Sequence, residues 1–199
     1  MAFSAAVLTG GRSTRMGADK AFVDVAGRPM AAYPLAALRQ AGAAEVLAIG
    51  GDGARLAGLG FTFVEEPEPG RGPLAGVVLA LQASAHELVA IVACDLPLVT
   101  AAAISALVDA ATSSGADASV AAVAGRLQPV LAVYRRRTVP TLVAALEEDG
   151  ALHLALSRLQ LKEVELDDGS AAFNVNEPSD LEALEALRRR STWPAGGGR

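Results

Sequence analysis

The chain has 199 residues, 52% of them hydrophobic and 20% charged, which is ample for one large core and excludes a mainly disordered protein. Its 17 basic and 22 acidic side chains leave a formal charge of −5, which argues against a protein that coats nucleic acid or an acidic membrane. The lone cysteine, Cys94, rules out an internal disulfide and a thiolate metal cluster. The opening segment Met1–Leu8 has no basic stretch and is too short for a signal peptide or a membrane span. The expectation is a soluble, cytoplasmic, single α/β domain over residues 1–191, followed by a disordered tail, 192–199.

Phe3–Leu8 predicts a short apolar strand ended by Gly10-Gly11, and a long polar loop runs from Thr9 to Lys20. Pro29–Ala41 predicts a helix stopped by Gly42. Strands are expected at Glu45–Gly50 and Phe61–Val64, and a helix with proline near its start at Pro73–Ser84. Leu88–Cys94 is the most apolar strand and ends at Asp95-Leu-Pro97; Thr100 caps a helix reaching Ala111. Two strands follow, Ala118–Val123 and Leu127–Tyr134, turning at Gly125-Arg126. Short helices at Thr138–Leu146 and Leu152–Leu159, a strand at Lys162–Leu166 and an extended Phe173–Asn176 come next. Ser179-Asp-Leu-Glu182 is a capping box that opens a last helix to Arg190. Both histidines, His86 and His153, fall on predicted helices. The arginine runs 135–137 and 188–190 read as solvated faces or partner patches.

Apolar strands alternating with helices imply a mostly parallel sheet covered on both faces, with residues 125–170 as the place for an appended subregion. In such sheets ligands gather at the carboxyl ends of the strands. That rule selects the loops after Leu8, Val64 and Cys94.

The first of these loops holds two glycines, whose bare backbone can approach an anion closely, followed by Arg12, Arg15 and Lys20. Backbone donors combined with fixed positive charge suit a di- or triphosphate; the alternative is a surface turn with solvated arginines. The spacing fits neither a Walker A loop nor a dinucleotide fingerprint. Of the 17 basic residues only Lys20 and Lys162 are lysine, so a lysine in this loop points to a need for a compact ammonium. Asp95, at the end of a buried strand, suits Mg²⁺, which accepts one or two carboxylates and fills its shell with water and phosphate oxygens; the alternative is a turn aspartate. Glu65–Gly76 is a Pro/Gly-rich acidic loop at the same sheet edge. Asn174 and Asn176 flank Val175, so both amides face one way and could hold a polar ligand, or Asn176 could cap the last helix. Neither histidine has serine-elbow spacing, and Cys94 lies inside an apolar strand, so a protein nucleophile is not expected. A phosphate-gripping loop with a metal carboxylate fits direct nucleotidyl transfer between phosphates.

The series Leu8-Thr-Gly-Gly-x3-Arg-Met-Gly-x2-Lys20, Gly72-Pro-Leu-Ala-Gly76, Cys94-Asp-Leu-Pro97, Gln128–Tyr134 and Phe173-Asn-Val-Asn-Glu-Pro178 resembles the ordered motifs of molybdenum cofactor guanylyltransferases. The resemblance spans residues 5 to 187. It implies a Rossmann-like, three-layer nucleotidyltransferase fold that transfers GMP from GTP to the phosphate of molybdopterin and releases pyrophosphate, with Mg²⁺ as cofactor. It further implies that Leu8, Thr9, Gly10, Gly11, Lys20, Glu65 and Asp95 contact GTP. Arg15, Lys20 and Asp95 would act in catalysis, Asp95 as the metal ligand, and Asn174 and Asn176 would place molybdopterin. Cofactor-synthesis proteins and recipient molybdoenzymes are the implied partners, with neither nucleic acid nor membrane involved. A CTP-dependent molybdopterin cytidylyltransferase, or another small-molecule nucleotidyltransferase of this fold, is the alternative.

Overall fold

The computed structural model describes residues 1–10, 19–167, 169–177 and 179–184. Among the described residues the strands and helices follow one another as β1 (Ser4–Leu8), β2 (Asp24–Val25), β3 (Arg28–Pro29), α1 (Ala32–Gln40), β4 (Glu45–Ile49), α2 (Gly53–Gly58), β5 (Thr62–Val64), α3 (Pro73–Ala83), β6 (Leu88–Ala93), α4 (Ala101–Ser114), β7 (Ala118–Val123), β8 (Arg126–Arg135), α5 (Val139–Glu147), α6 (Leu152–Ala155) and β9 (Leu161–Glu165). A 3₁₀ turn, Lys20–Phe22, precedes β2, and residues 179–184 are helical. Seven strands form one sheet in the order β5-β4-β1-β6-β8-β7-β9. Within it β8 runs against both its neighbours and every other pairing is parallel.

Alternate side chains of each strand serve two cores. Ala5 and Val7 of β1, with Leu88, Ala90 and Val92 of β6, pack under α1, α2 and α4 through Leu35, Leu38, Leu56, Ile104 and Leu107. Ala6 of β1, with Val89 and Ile91 of β6, packs under α3, α5 and α6 through Leu74, Val77, Leu81, Leu142 and Leu152. Both faces of the central strands are therefore buried, which is why they read as unbroken apolar runs. A third, smaller cluster joins Val25, Met30, Tyr33, Leu98, Val175 and Leu184. It ties together pieces of chain that the sheet does not hold.

The structure departs from the sequence reading in four places. Pro29 does not start a helix: Asp24–Val25 pairs with Arg28–Pro29 around Ala26-Gly27, both at positive φ (50° and 81°), a two-residue hairpin, and α1 begins at Ala32. Residues 125–170 are no appendage, because β8 and β9 continue the main sheet and α5 and α6 complete one of its faces. His86 lies in the turn between α3 and β6. Of the arginines 135–137, Arg136 and Arg137 are exposed, as a solvated face would be, but all three also donate to backbone carbonyls, which the sequence reading does not foresee. Arg135 donates to Ala111 O and Ala116 O (2.7 and 2.9 Å) at the end of α4, and Arg136 to Leu81 O (3.1 Å) near the end of α3. Arg137 bonds Gly115 O at 2.7 Å and pairs with Asp117 at 3.0 Å. All three place positive charge where helix carbonyls lack partners. The run 188–190 and the tail 192–199 lie outside the described residues.

An Arg135→Met variant strips two carbonyls of charged donors and loses about 2–3 kcal/mol of stability. For a chain of this length that lowers the thermal midpoint by roughly 5–10 °C. Denaturation followed by circular dichroism measures it.

Candidate active site

The carboxyl ends of the parallel neighbours β1 and β6 lie side by side, with the chain returning to β4 on one flank and passing beyond β8 to β7 on the other, and the carboxyl ends of strands are where open α/β sheets place their ligands. A cleft of about 640 Å³ opens there, within the range of small-ligand sites. Leu8, Thr9 and Gly10 line it from β1, and Cys94 and Asp95 from β6. Gly72 and Pro73 at the start of α3 face it as well, as do Asn174 and Asn176. Gly72 sits at φ 85° with no side-chain cap on α3, so the positive end of that helix dipole meets the cleft.

The first loop is anchored sideways onto β4. Thr9 is buried, and its hydroxyl donates to Ile49 O and Gly50 O at 3.0 and 2.7 Å. The backbone N–H groups of Thr9 and Gly10 also donate to Ile49 O, at 3.0 and 2.7 Å. The Gly10 donor, one of the two glycine N–H groups expected from the sequence to approach an anion, is thus committed to the sheet edge. Gly11 and Arg15 lie outside the described residues.

Lys20 stands at the start of its 3₁₀ turn, which Asp19 caps by accepting from Ala21 N. The Arg55 guanidinium stacks on the Phe22 ring of the same turn, 3.6 Å from its centroid. Lys20 Nζ donates to Asp95 Oδ2 at 2.6 Å and to Asn176 Oδ1 at 2.7 Å. The two charged side chains are only 18% and 17% exposed. Asp95 Oδ1 is buried and accepts no hydrogen bond from any described residue. A buried carboxylate oxygen without a donor is costly, and a cation ligand is the chemistry that accounts for it. Among the described residues no three acidic, histidine or cysteine side chains gather as a metal cluster. Asp95 therefore fits an ion that takes one carboxylate and completes its shell with water and phosphate oxygens, as Mg²⁺ does.

Sequence reasoning places Glu65 among the GTP contacts and leaves open whether Glu65 or Glu66 takes part. Glu65 and Glu66 both line a smaller adjoining pocket of about 350 Å³, but Glu66 also lines the main cleft. Burial holds its carboxyl above the usual carboxylate range. A Cβ on Gly10 would stand 2.5 Å from Glu66 Oε2, and one on Gly50 2.8 Å from it, so both glycines make room for this carboxylate. The alternation along an extended segment could have separated Glu65 from Glu66, had the parity of β5 been known.

Asn174 Nδ2 donates weakly to Ala172 O, at 3.3 Å. The Cys94 thiol is pushed up to about 12 by burial and by the neighbouring Asp95 charge, so it is inert. At the amino end of β1, Ser4 donates to Glu45 and lies 3.0 Å from His86 Nδ1. Ser4 is fully buried and spends its proton on the glutamate, so this trio is no nucleophilic relay.

A parallel sheet edge that brings an ammonium, a buried carboxylate and a helix N-terminus to one cleft has the design of a nucleotidyltransferase. Residues 5–164 match the MobA-like NTP transferase domain, and the chain belongs to that family. It is 37% identical over 189 residues to a Bacillus licheniformis protein named "Probable molybdenum cofactor guanylyltransferase", covering 90% of this chain and 94% of the relative. It is 32% identical to the molybdenum cofactor guanylyltransferase of Pseudomonas putida, covering 88% of this chain and 94% of that one. In fold it resembles molybdopterin-guanine dinucleotide biosynthesis protein A from Archaeoglobus fulgidus (TM-score 0.80, 22% identity, 94% of this chain and 100% of that chain). The 2-C-methyl-D-erythritol 4-phosphate cytidylyltransferase of Thermus thermophilus is also similar (TM-score 0.73, 25% identity, 95% and 100%). No helix among the described residues is long and apolar enough to cross a membrane.

Proposed function

We propose that the chain is a cytoplasmic guanylyltransferase that moves GMP from GTP to the phosphate of molybdopterin. The observation that carries this reading is the contact of Lys20 with Asp95 at 2.6 Å, in a nucleotide-sized cleft at the carboxyl edge of the sheet. The names of relatives at 32–37% identity supply the substrates.

In this reading a phosphate oxygen of molybdopterin forms a bond to the α-phosphorus of GTP while the bond to the β-phosphate oxygen breaks and pyrophosphate leaves. The protein supplies position and charge rather than a nucleophile. Lys20 and the N-terminus of α3 take the negative charge of the triphosphate, with Arg15 and Gly11 as further phosphate contacts. Leu8, Thr9 and Gly10 form the floor under the nucleotide. Asp95 would hold Mg²⁺, which supplies charge neutralisation at the α-phosphate and at the leaving pyrophosphate. Asn174 and Asn176 border the molybdopterin side. Cofactor-synthesis proteins upstream and molybdoenzymes downstream are the corresponding partners.

Glu66 would read the base, with Glu65 beside it in the smaller pocket. An ionised carboxylate accepts two adjacent N–H donors, which the guanine edge offers and cytosine does not. GTP and CTP are supplied in turn with molybdopterin and Mg²⁺, and pyrophosphate is measured. Release with GTP is expected; release with CTP alone, or with neither, overturns the reading. The preference for GTP falls about 10²-fold in Glu66→Gln, because an amide matches one of the two donors and opposes the other. Because Glu66 binds its proton at a higher pH than an ordinary glutamate, the accepting form is lost early as pH falls. Wild-type kcat/KM for GTP should therefore decline on acidification through that raised pKa, a step missing in Glu66→Gln.

A further inference from the structure

Lys20 carries three N–H donors on a flexible four-carbon stem, and a single acceptor would leave its ammonium free to swivel. Here two donors are fixed, one by Asp95 Oδ2 and one by Asn176 Oδ1 at 2.7 Å. An ammonium donates only, so the Asn176 oxygen must be the atom facing it. With two corners of a tetrahedral nitrogen held, the third has one direction left, and Lys20 lines the cleft.

Asn176 is itself a rigid post. Its own N–H and that of Glu177 donate to Asp180 Oδ2 at 2.7 and 2.8 Å, which holds the Asp180 carboxyl below the usual range. Val175 N donates to Asp95 O at 3.0 Å, and the Val175 side chain is fully buried in the third cluster beside Met30, Leu98 and Leu184. A segment 156 positions after Lys20 is thus bonded both to the loop that carries Asp95 and to the ammonium. The acceptor it offers is neutral. A second carboxylate at that point would hold the ammonium more strongly and repel a polyphosphate; an amide oxygen orients it without either effect.

We infer that Asn176 is a positioning residue for the nucleotide side of the reaction: it aims the Lys20 ammonium at the triphosphate. This role rests on the cleft accepting a nucleoside triphosphate, as proposed above, and it differs from a contact with the second substrate alone. The Nδ2 group, which bonds to no described residue, is left for that substrate, so one amide would link the two halves of the site.

The test is a double-mutant cycle on the full chain with Mg²⁺. Calorimetry measures the affinity for an α,β-methylene analogue of GTP and, separately, for inorganic tripolyphosphate. Asn176→Ala is expected to weaken both about tenfold, Asn176→Asp at least as much, and Asn176→Ala to change affinity less than twofold when added to Lys20→Met. The cycle is overturned if Asn176→Ala leaves affinity at the wild-type value, or weakens it equally with and without Lys20. It is also overturned if Asn176→Ala raises only the KM for molybdopterin. Wild-type binding of tripolyphosphate without binding of the GTP analogue would sink the guanylyl reading while the cycle remained measurable. Binding of neither overturns both.

Discussion

In an Asp95→Asn variant, pyrophosphate release falls by about 10³-fold, while the thermal midpoint stays within a few degrees of wild type. The two outcomes separate because the substitution keeps the shape and removes the charge. A carboxamide oxygen can still accept from Lys20 Nζ, which now lies 2.6 Å from Asp95 Oδ2, so the turn that carries Lys20 keeps its anchor. At the other oxygen the change is severe. Oδ1 is buried and accepts from no described residue, and an amide nitrogen there would present hydrogens where a cation is needed. Pyrophosphate release at saturating GTP and Mg²⁺, beside a melting curve, checks both halves. Full activity in Asp95→Asn would remove the metal role from this residue.

Lys20→Met has the second large effect, a fall of about 10²- to 10³-fold in kcat/KM for GTP, and Lys20→Arg recovers little of it. Arginine restores the charge, but a planar guanidinium cannot place donors at tetrahedral angles toward Asp95, Asn176 and a phosphate at once. Methionine also leaves Asp95, 17% exposed, without its cation, so Lys20→Met should melt below wild type. The paired substitution Lys20→Met with Asp95→Asn should recover that stability without recovering activity. If Lys20→Arg were fully active, the site would need charge alone, and its geometry would be incidental.

Much of the frame was legible in the sequence because it obeys simple periodicities. Residues 5–8, 46–49 and 88–93 are apolar because both sheet faces are covered, and the loops selected after Leu8, Val64 and Cys94 all contribute residues to one cleft. Lys20 stood out by composition, one of two lysines among 17 basic residues, and Asp95 by its place at a strand end. What stayed hidden depends on contacts that carry no local signature. The hairpin β2–β3 has two residues per strand, too few for any alternation to show, so Pro29 was read as a helix start. The arginines 135–137 look like a solvated run until helix ends are placed beneath them. The choice between Glu65 and Glu66 turns on the parity of one short strand. The bond between Lys20 and Asn176 joins residues 156 apart, which no spacing rule reaches.

The third cluster also imposes an order in time. During synthesis the sheet strands through β6 emerge first, and with them Lys20 and Asp95; Val175 and Asn176 follow later, at roughly 5–20 residues per second. A nascent chain, or a fragment released early, can therefore have a well-packed interior and yet keep its ammonium unaimed. Under the role proposed for Asn176, competence waits until Val175 is seated against Met30, Leu98 and Leu184, so activity follows the closing of that small cluster rather than the packing of the sheet.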